Sequence, residues 1–146
     1  MSLMKSDVSV ASEEYRRNRD GYGVRIADLH ERRAAARLGG PERARQLHKE
    51  RGQLLPRERI GLLLDPGAPW LPLCSLAGFL QDTQDPEKSV PGGGMLAGIG
   101  FISGVRCIVV ASDSGIDAGA IQARGLEKIL RVQEMADLFG GALHGG

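Results

Sequence analysis

One short segment, Val105–Ala111, constrains the fold of this chain more than any other. Its residues are apolar on both faces of a strand, with Arg106 as the one charged exception. Because side chains alternate between the faces of a strand, such a run predicts a strand covered on both sides. Met95–Ile102 predicts a second strand, and the intervening Ser103-Gly104 is typical of a two-residue hairpin connection. We therefore expect a strand pair buried under helices.

The segment after this pair predicts a polar loop and then a helix. The loop is Ser112–Asp117, and the helix runs from about Ala118 to Leu138. Apolar or neutral residues recur at helical spacing and predict its buried face. These residues are Leu126, Ile129, Leu130, Gln133 and Met135. The order strand, strand, loop, helix is the beginning of an α/β layer.

Residues 12–65 predict an arm of short basic helices. The first helix covers residues 12–38, and Gly21 and Gly23 make a break in it possible. The second helix begins at Pro41 and the third begins at Pro56. We expect residues 1–11 to be a vector-derived leader followed by a disordered start. We expect residues 66–146 to be the beginning of the domain that follows the helical arm. Within that domain, residues 70–74 predict a short strand that proline restricts to an edge of the sheet.

Composition excludes several classes of protein. Of 146 residues, 42% are hydrophobic and 25% are charged, which is ordinary for a globular chain. Aromatic residues are 4% and the net charge is +1, which argues against nucleic-acid binding. No apolar run approaches the roughly 20 residues that span a bilayer, and no signal peptide opens the chain. We expect a cytoplasmic protein that binds neither nucleic acid nor membrane.

Charge is divided unevenly along the chain. Residues 1–65 contain 14 Lys and Arg against 10 Asp and Glu, whereas residues 66–146 contain 5 against 8. The basic half is therefore either an anion-binding surface or a solvated helical face. Cys74 and Cys107 share no metal-ligand spacing with histidine, so we expect two buried free thiols and no metal site.

Common nucleotide and hydrolase motifs are missing. The stretch Gly98–Gly104 has its third glycine one residue late and lies between two strands, which excludes a dinucleotide fingerprint. The chain has no P-loop, and no Ser/His/Asp arrangement can be assembled from the sequence.

The loop Ser112–Ala120 is the first candidate site. We expect it to lead into a helix N-terminus, where free backbone N–H groups bind an anion or polarise a carbonyl. Gly115 and Gly119 permit a ligand to approach the backbone closely. Alternatively, Asp117 caps the helix and the loop is only a turn.

Three arginines form the second candidate site. Arg51, Arg57 and Arg59 lie within nine residues and suit bidentate phosphate binding. Alternatively, they pair with Glu50 and Glu58 on a helix surface.

Several blocks of sequence, in order over residues 12–138, carry a family resemblance. They are Gly39–Arg45, Arg51–Ile60, Leu63–Gly67, Val90–Gly94, Gly98–Val110 and Arg131–Ala136. Together they resemble the N-terminus of the carboxyltransferase (beta) subunits of biotin-dependent acyl-CoA carboxylases. The loop Ser112–Gly119 departs from the propionyl and acetyl types, in which a lysine stands at the position of Asp117. It is more similar to subunits of the methylcrotonyl or geranyl type.

The resemblance implies a fold, a reaction and partners. The fold is an α/β, crotonase-like stack of ββα units, here truncated and preceded by the helical arm. The reaction moves a carboxyl group from carboxybiotin, on the carrier of a biotin carboxylase (alpha) subunit, to a branched or unsaturated acyl-CoA. Family members form homo-hexamers, with acyl-CoA on the N-terminal domain. The implied CoA-binding residues are Ser114, Gly115, Ile116, Asp117, Gly119, Arg51, Arg57 and Arg59.

Members of this family are several times longer than 146 residues. The glycine-rich oxyanion segment is expected after the last helix, and residues 139–146 do not have the pattern of the buried strand expected there. We therefore expect an inactive N-terminal piece with no catalytic residue of its own. The alternative is a non-catalytic assembly module with a basic helical arm. A small hydratase or isomerase lacks the paired carboxylates that it would need.

Overall fold

The computed structural model describes residues 6–86, 88–116, 119–139 and 142–145. Its helices are α1 (Glu13–Leu38), α2 (Glu42–Glu50), α3 (Pro56–Leu63) and α4 (Ala123–Phe139). Its strands are β1 (Leu71–Pro72), β2 (Met95–Ile102), β3 (Val105–Ser112) and β4 (Ala142–Gly145). The strands form one sheet in the order β1-β2-β3-β4, with β3 and β4 parallel and the other pairs antiparallel.

The chain divides into two compact units, residues 1–34 and residues 35–146. The first unit holds most of α1, which begins where predicted because the Ser12 hydroxyl accepts a hydrogen bond from the Tyr15 N–H at 3.1 Å. The helix continues through Gly21 and Gly23, so the possible break there is absent. An ion pair between Asp28 and Arg32 links successive turns at 2.8 Å.

The β2–β3 hairpin has the predicted bounds. Its register runs from Met95 opposite Ser112 to Ile102 opposite Val105. Ser103 and Gly104 both have positive φ, as a tight two-residue turn requires. The Asp65 carboxylate accepts hydrogen bonds from both of their N–H groups at 2.7 Å, which fixes the turn against the end of α3.

Both faces of the hairpin are covered, as the apolar run predicts. Val109 on one face is 1% exposed, and Ile108 on the other is 5% exposed. The first face packs against α3, in a cluster of Ile60, Val109 and Ala111 with Leu64, Trp70, Leu96 and Ile102. The second packs against α4, in a cluster of Ala97, Ile108, Val132 and Ala136. The core of the second unit therefore lies on two sides of one strand pair.

The buried face of α4 agrees only in part with the predicted one. Met135 packs against the core cluster, but Leu126 and Leu130 are exposed. The buried positions are Gly125, Lys128, Val132 and Ala136. The surface that α4 covers explains the difference, because its first turns lie against a glycine-rich backbone that admits small residues and excludes large ones. Leucine periodicity alone does not contain that information.

The last described strand is a second correction. The pattern of residues 139–146 does not predict a buried strand, yet β4 pairs in parallel with β3, with Cys107 opposite Ala142 and Val110 opposite Gly145. A strand ladder needs only backbone N–H and C=O groups, so a short glycine-flanked segment can complete a β-α-β unit. The edge strand is confirmed, since β1 pairs only at Leu71 and Pro72.

The cysteines differ from each other. Cys107 is buried, as expected, but Cys74 is exposed in a turn with φ of 48°. Both thiols are free.

None of the helices in the described ranges is both long enough and apolar enough to cross a membrane.

Candidate functional site

The loop after β3 is fixed by Asp113, which is only 7% exposed. Its carboxylate accepts hydrogen bonds from Gly115 N at 3.0 Å and from Gly40 N at 3.3 Å. Its own N–H donates to Gly94 O at 2.8 Å. One side chain thus joins this loop to the turn between α1 and α2 and to the glycine-rich segment before β2.

Glycine is required where these segments meet. A Cβ on Gly40 would lie 2.7 Å from the carbonyl oxygen of Gly115, a backbone atom that cannot move alone. Gly39 has φ of 79°, and a Cβ there would lie 2.7 Å from Asp113 Oδ2. The Gly39-Gly40 pair is predicted as a helix stop, and it also allows the loop after β3 to pack closely against this turn.

A pocket of about 530 Å³ lies beside this loop and is called here the outer pocket. Its lining residues are His48, Arg51, Gln53, Leu54, Arg59 and Ser114. It brings together three predicted CoA-binding residues, Ser114, Arg51 and Arg59, from both candidate sites in the sequence. Its two guanidinium groups can hold an anionic ligand by charge-assisted hydrogen bonds, and the Ser114 hydroxyl lies beside them.

The Ser114 hydroxyl is oriented by His48, a residue that sequence reasoning missed. The two side chains meet with 2.7 Å between His48 Nε2 and Ser114 Oγ, although they are 66 residues apart. His48 Nδ1 lies 3.2 Å from Ala44 O, and because a carbonyl can only accept, Nδ1 carries the proton. Nε2 then accepts from the Ser114 hydroxyl, which leaves the serine lone pairs available to a ligand. No sequence signal links two residues so far apart.

Arg57 does not join the other two arginines. It lines a second cavity of about 180 Å³, called here the arginine cavity, together with Arg37, Arg45 and the predicted residue Gly115. Its Nη2 donates to Ala36 O at 3.4 Å. Burial lowers the pKa of Arg57, and the nearby charge of Arg37 lowers it further, while Asp113 acts in the opposite direction.

Of the remaining predicted residues, Ile116 and Gly119 do not line the outer pocket. Ile116 donates its N–H to Asp113 O at 3.0 Å and lines a cavity of about 30 Å³. Gly119 has φ of 84° and donates to Ile116 O at 2.8 Å, and Asp117 lies outside the described residues. Since α4 begins at Ala123, the expected helix N-terminus is not part of the loop. That argument for anion binding by Ser112–Ala120 was wrong.

Lys128 is the other functional candidate that the sequence did not reveal. It is 5% exposed, and its Nζ donates to Met95 O at 2.6 Å and to Gly92 O at 3.5 Å. Burial lowers its pKa to about 8, against a smaller opposing effect of Cys74. From sequence, a lysine is normally assigned to a solvated helix face. Only the position of α4 against the glycine-rich segment shows that Lys128 is buried.

Together these features define an α/β domain with basic pockets at the end of a central strand. The family model described as the carboxyl transferase domain matches residues 47–143. The chain therefore belongs to the carboxyl transferase domain family, and the predicted family is confirmed.

Sequence relatives agree with this assignment. The biotin-dependent 3-methylcrotonyl-coenzyme A carboxylase beta1 subunit of Mycobacterium tuberculosis is 46% identical over 113 residues, which are 76% of this chain and 20% of that protein. A probable mitochondrial methylcrotonoyl-CoA carboxylase beta chain of Drosophila melanogaster is 37% identical over 92% of this chain and 23% of its own length. The chain thus spans about a fifth of the length of these relatives.

Solved structures confirm the crotonase-like fold over the part of it that this chain covers. The beta subunit of geranyl-CoA carboxylase from P. aeruginosa has a TM-score of 0.80 and 40% identity, over 99% of this chain and 26% of that one. The transcarboxylase 12S structure, described as a hexamer with methylmalonyl-coenzyme A bound, has a TM-score of 0.72 and 25% identity. It covers 84% of this chain and 24% of that chain.

Proposed function

We propose that this chain forms the first part of the acyl-CoA-binding domain of a biotin-dependent carboxyltransferase. The whole protein would move a carboxyl group from carboxybiotin, carried by an alpha-type partner subunit, to an acyl-CoA. The observation that carries the proposal is the outer pocket, where Arg51, Arg59 and Ser114 converge from distant parts of the sequence. The two arginines bind CoA phosphates, and Ser114 accepts a hydrogen bond from an N–H or O–H group of the same ligand.

The proposed substrate is a branched or unsaturated acyl-CoA. The support is sequence identity, which is 34% to 46% for methylcrotonyl-type relatives and 40% for a geranyl-type structure, against 32% for a propionyl-CoA carboxylase beta chain of Roseobacter denitrificans. The assembly proposed for the whole protein is a hexamer, because the transcarboxylase 12S structure is described as one. The cytoplasmic location expected from the sequence stays a prediction.

Biotin is assigned to no residue of this chain. Of the three cavities described above, one has a volume of only about 30 Å³ and the other two are lined by arginines. When bound to the whole protein, carboxybiotin supplies the carboxyl group. The described residues contribute only the CoA side of the site, so we expect no carboxyl transfer by the 146-residue chain alone.

Titration of the chain with CoA tests the binding proposal. Arg51→Gln and Arg59→Gln should each weaken CoA binding roughly ten- to a hundredfold, since each removes a charge-assisted pair of roughly 1.5–3 kcal/mol. Ser114→Ala should have a smaller effect. Lys49→Gln is the matched control, because it removes a positive charge from exposed α2 outside the pocket.

Two outcomes contradict the proposal. If CoA shows no saturable binding while the chain self-associates, the assembly module becomes the better interpretation. If Lys49→Gln weakens CoA as much as Arg51→Gln does, binding follows overall charge rather than the outer pocket.

A further inference from the structure

Three helices each direct one arginine to the arginine cavity. Arg37 comes from α1, Arg45 from α2 and Arg57 from α3, and together they line about 180 Å³. Arg37 and Arg45 belong to neither candidate site in the sequence. The cavity adjoins the outer pocket through consecutive loop residues, since Ser114 lines one and Gly115 the other.

Two of the arginines that line this cavity carry a buried donor without an acceptor among the described residues. The buried Nε atoms of Arg45 and Arg57 have no hydrogen-bond partner within the part of the chain that the structure describes. A charged donor that is removed from water without an acceptor is destabilising.

The carboxylates that line the cavity are already engaged. Asp113 accepts from two backbone N–H groups, and Glu58 accepts from Leu55 N at 2.7 Å. Over the described ranges, neither forms an ion pair with any of the three arginines. The positive charge at the cavity is therefore not neutralised by direct contact.

We infer that the arginine cavity is a binding site for a phosphoryl group, held by Arg37, Arg45 and Arg57. Guanidinium groups match phosphate oxygens in pairs, and a tetrahedral group has enough oxygens to accept from three arginines at once. A carboxylate has two oxygens and would leave donors unmatched. The phosphoryl group is either free phosphate or one phosphate of a larger ligand such as CoA.

Titration of the 146-residue chain with inorganic phosphate, at constant ionic strength, tests the site. Arg45→Gln should weaken phosphate about tenfold or more, because it removes a charge-assisted pair. Arg43→Gln is the matched control, since Arg43 is exposed on the same helix and does not line the cavity. Without phosphate, Arg45→Gln should not lower the melting temperature, whereas loss of a purely structural arginine would.

Arg37→Gln provides a second variant if Arg45→Gln does not fold, because Arg37 is exposed and its replacement leaves the core unchanged. Phosphate binding that is absent in the unmodified chain, or equal in all variants, overturns the inference. Competition separates the two sources: displacement of phosphate by CoA identifies a phosphate of CoA, and simultaneous binding identifies free phosphate. Arg51→Gln separates this inference from the proposed function, since it should lower the affinity for CoA and leave the affinity for inorganic phosphate unchanged.

Discussion

The two faces of the β2–β3 hairpin are covered by different means. Toward α3, the side chains of Trp70 and Leu64 lie directly over Gly98 and Gly100. Toward α4, side chains also pack in the cluster of Ala97, Ile108, Val132 and Ala136, but the segment just before β2 meets the helix backbone to backbone, because Gly93 lies against Gly125. The buried Lys128 ammonium donates to carbonyls beside this contact. The bulky side chains over the α3 face can shift, whereas the main chain at Gly93 cannot.

This difference matters for the site. The rigid face holds the glycine-rich segment whose Gly94 carbonyl accepts from Asp113, and Asp113 in turn fixes the loop that carries Ser114. The adaptable face closes the core beneath α3, the helix that carries Arg57 and Arg59. We therefore expect substitutions where Gly93 meets Gly125 to disturb both stability and the pockets, and a substitution at Gly98 to disturb mainly stability.

The largest effect is expected for Gly93→Ala. A Cβ at Gly93 would lie 2.6 Å from Gly125 N, and its φ of 60° is unfavourable for alanine. Overpacking of about 1–3 kcal/mol and left-handed strain of about 1–2 kcal/mol together predict a loss of about 4 kcal/mol. Chemical denaturation measures it, and Gly67→Ala is the control, because Gly67 has φ of 75° with nothing within 4 Å of its Cβ. Equal losses for the two variants would mean that the backbone contact is not rigid.

The next largest effect is the contribution of Lys128 to the pH dependence of the free energy of unfolding. Its pKa is about 8 in the folded protein and about 10.4 in an unfolded chain, so unfolding takes up a proton between these values. The free energy of unfolding should therefore rise with pH from about 8 to 10.4, by about 3 kcal/mol from this residue. Lys128→Met should remove that rise, whereas Lys88→Met, at an exposed lysine, should keep it. Identical pH profiles for the two variants would contradict a buried ammonium.

The sequence predicts the hairpin well because two independent signals agree there. The apolar run Val105–Ala111 requires cover on both faces, and Ser103-Gly104 permits only a tight connection. The face of α4 is not predictable in the same way. Leu126 and Leu130 have the periodicity of a core, but the glycine-rich surface selects Gly125 and Lys128 instead.

The candidate site could be predicted only in part. Ser114, Arg51 and Arg59 were identified one by one, from a loop and from an arginine cluster, and the structure brings them into one pocket. Their arrangement with His48 depends on how α2 lies against the loop after β3, which is long-range information. Arg57 points elsewhere because it stands two residues before Arg59 on α3, and residues at that spacing do not share a helix face.

Gly98→Ala tests the adaptable face and should cost less. A Cβ at Gly98 would overlap the ring of Trp70, but a side chain can move where backbone cannot. We expect a loss of about 2 kcal/mol, within the range for overpacking. Trp70→Phe should recover part of it in the double variant, because a smaller ring leaves room for the methyl group. Strictly additive free energies of unfolding in the double-mutant cycle would show that Trp70 does not carry the strain.

The smallest effect is expected on the outer side of α4, at the leucines that the sequence alone would place in the core. Leu130 is 51% exposed, so Leu130→Gln should change the free energy of unfolding by less than about 0.5 kcal/mol. Val132, two residues on, is 0% exposed, and Val132→Ala should cost at least about 1 kcal/mol through lost burial and a cavity. If Leu130→Gln were the more destabilising of the two, the leucine face would be buried in solution. That result would restore the face predicted from periodicity.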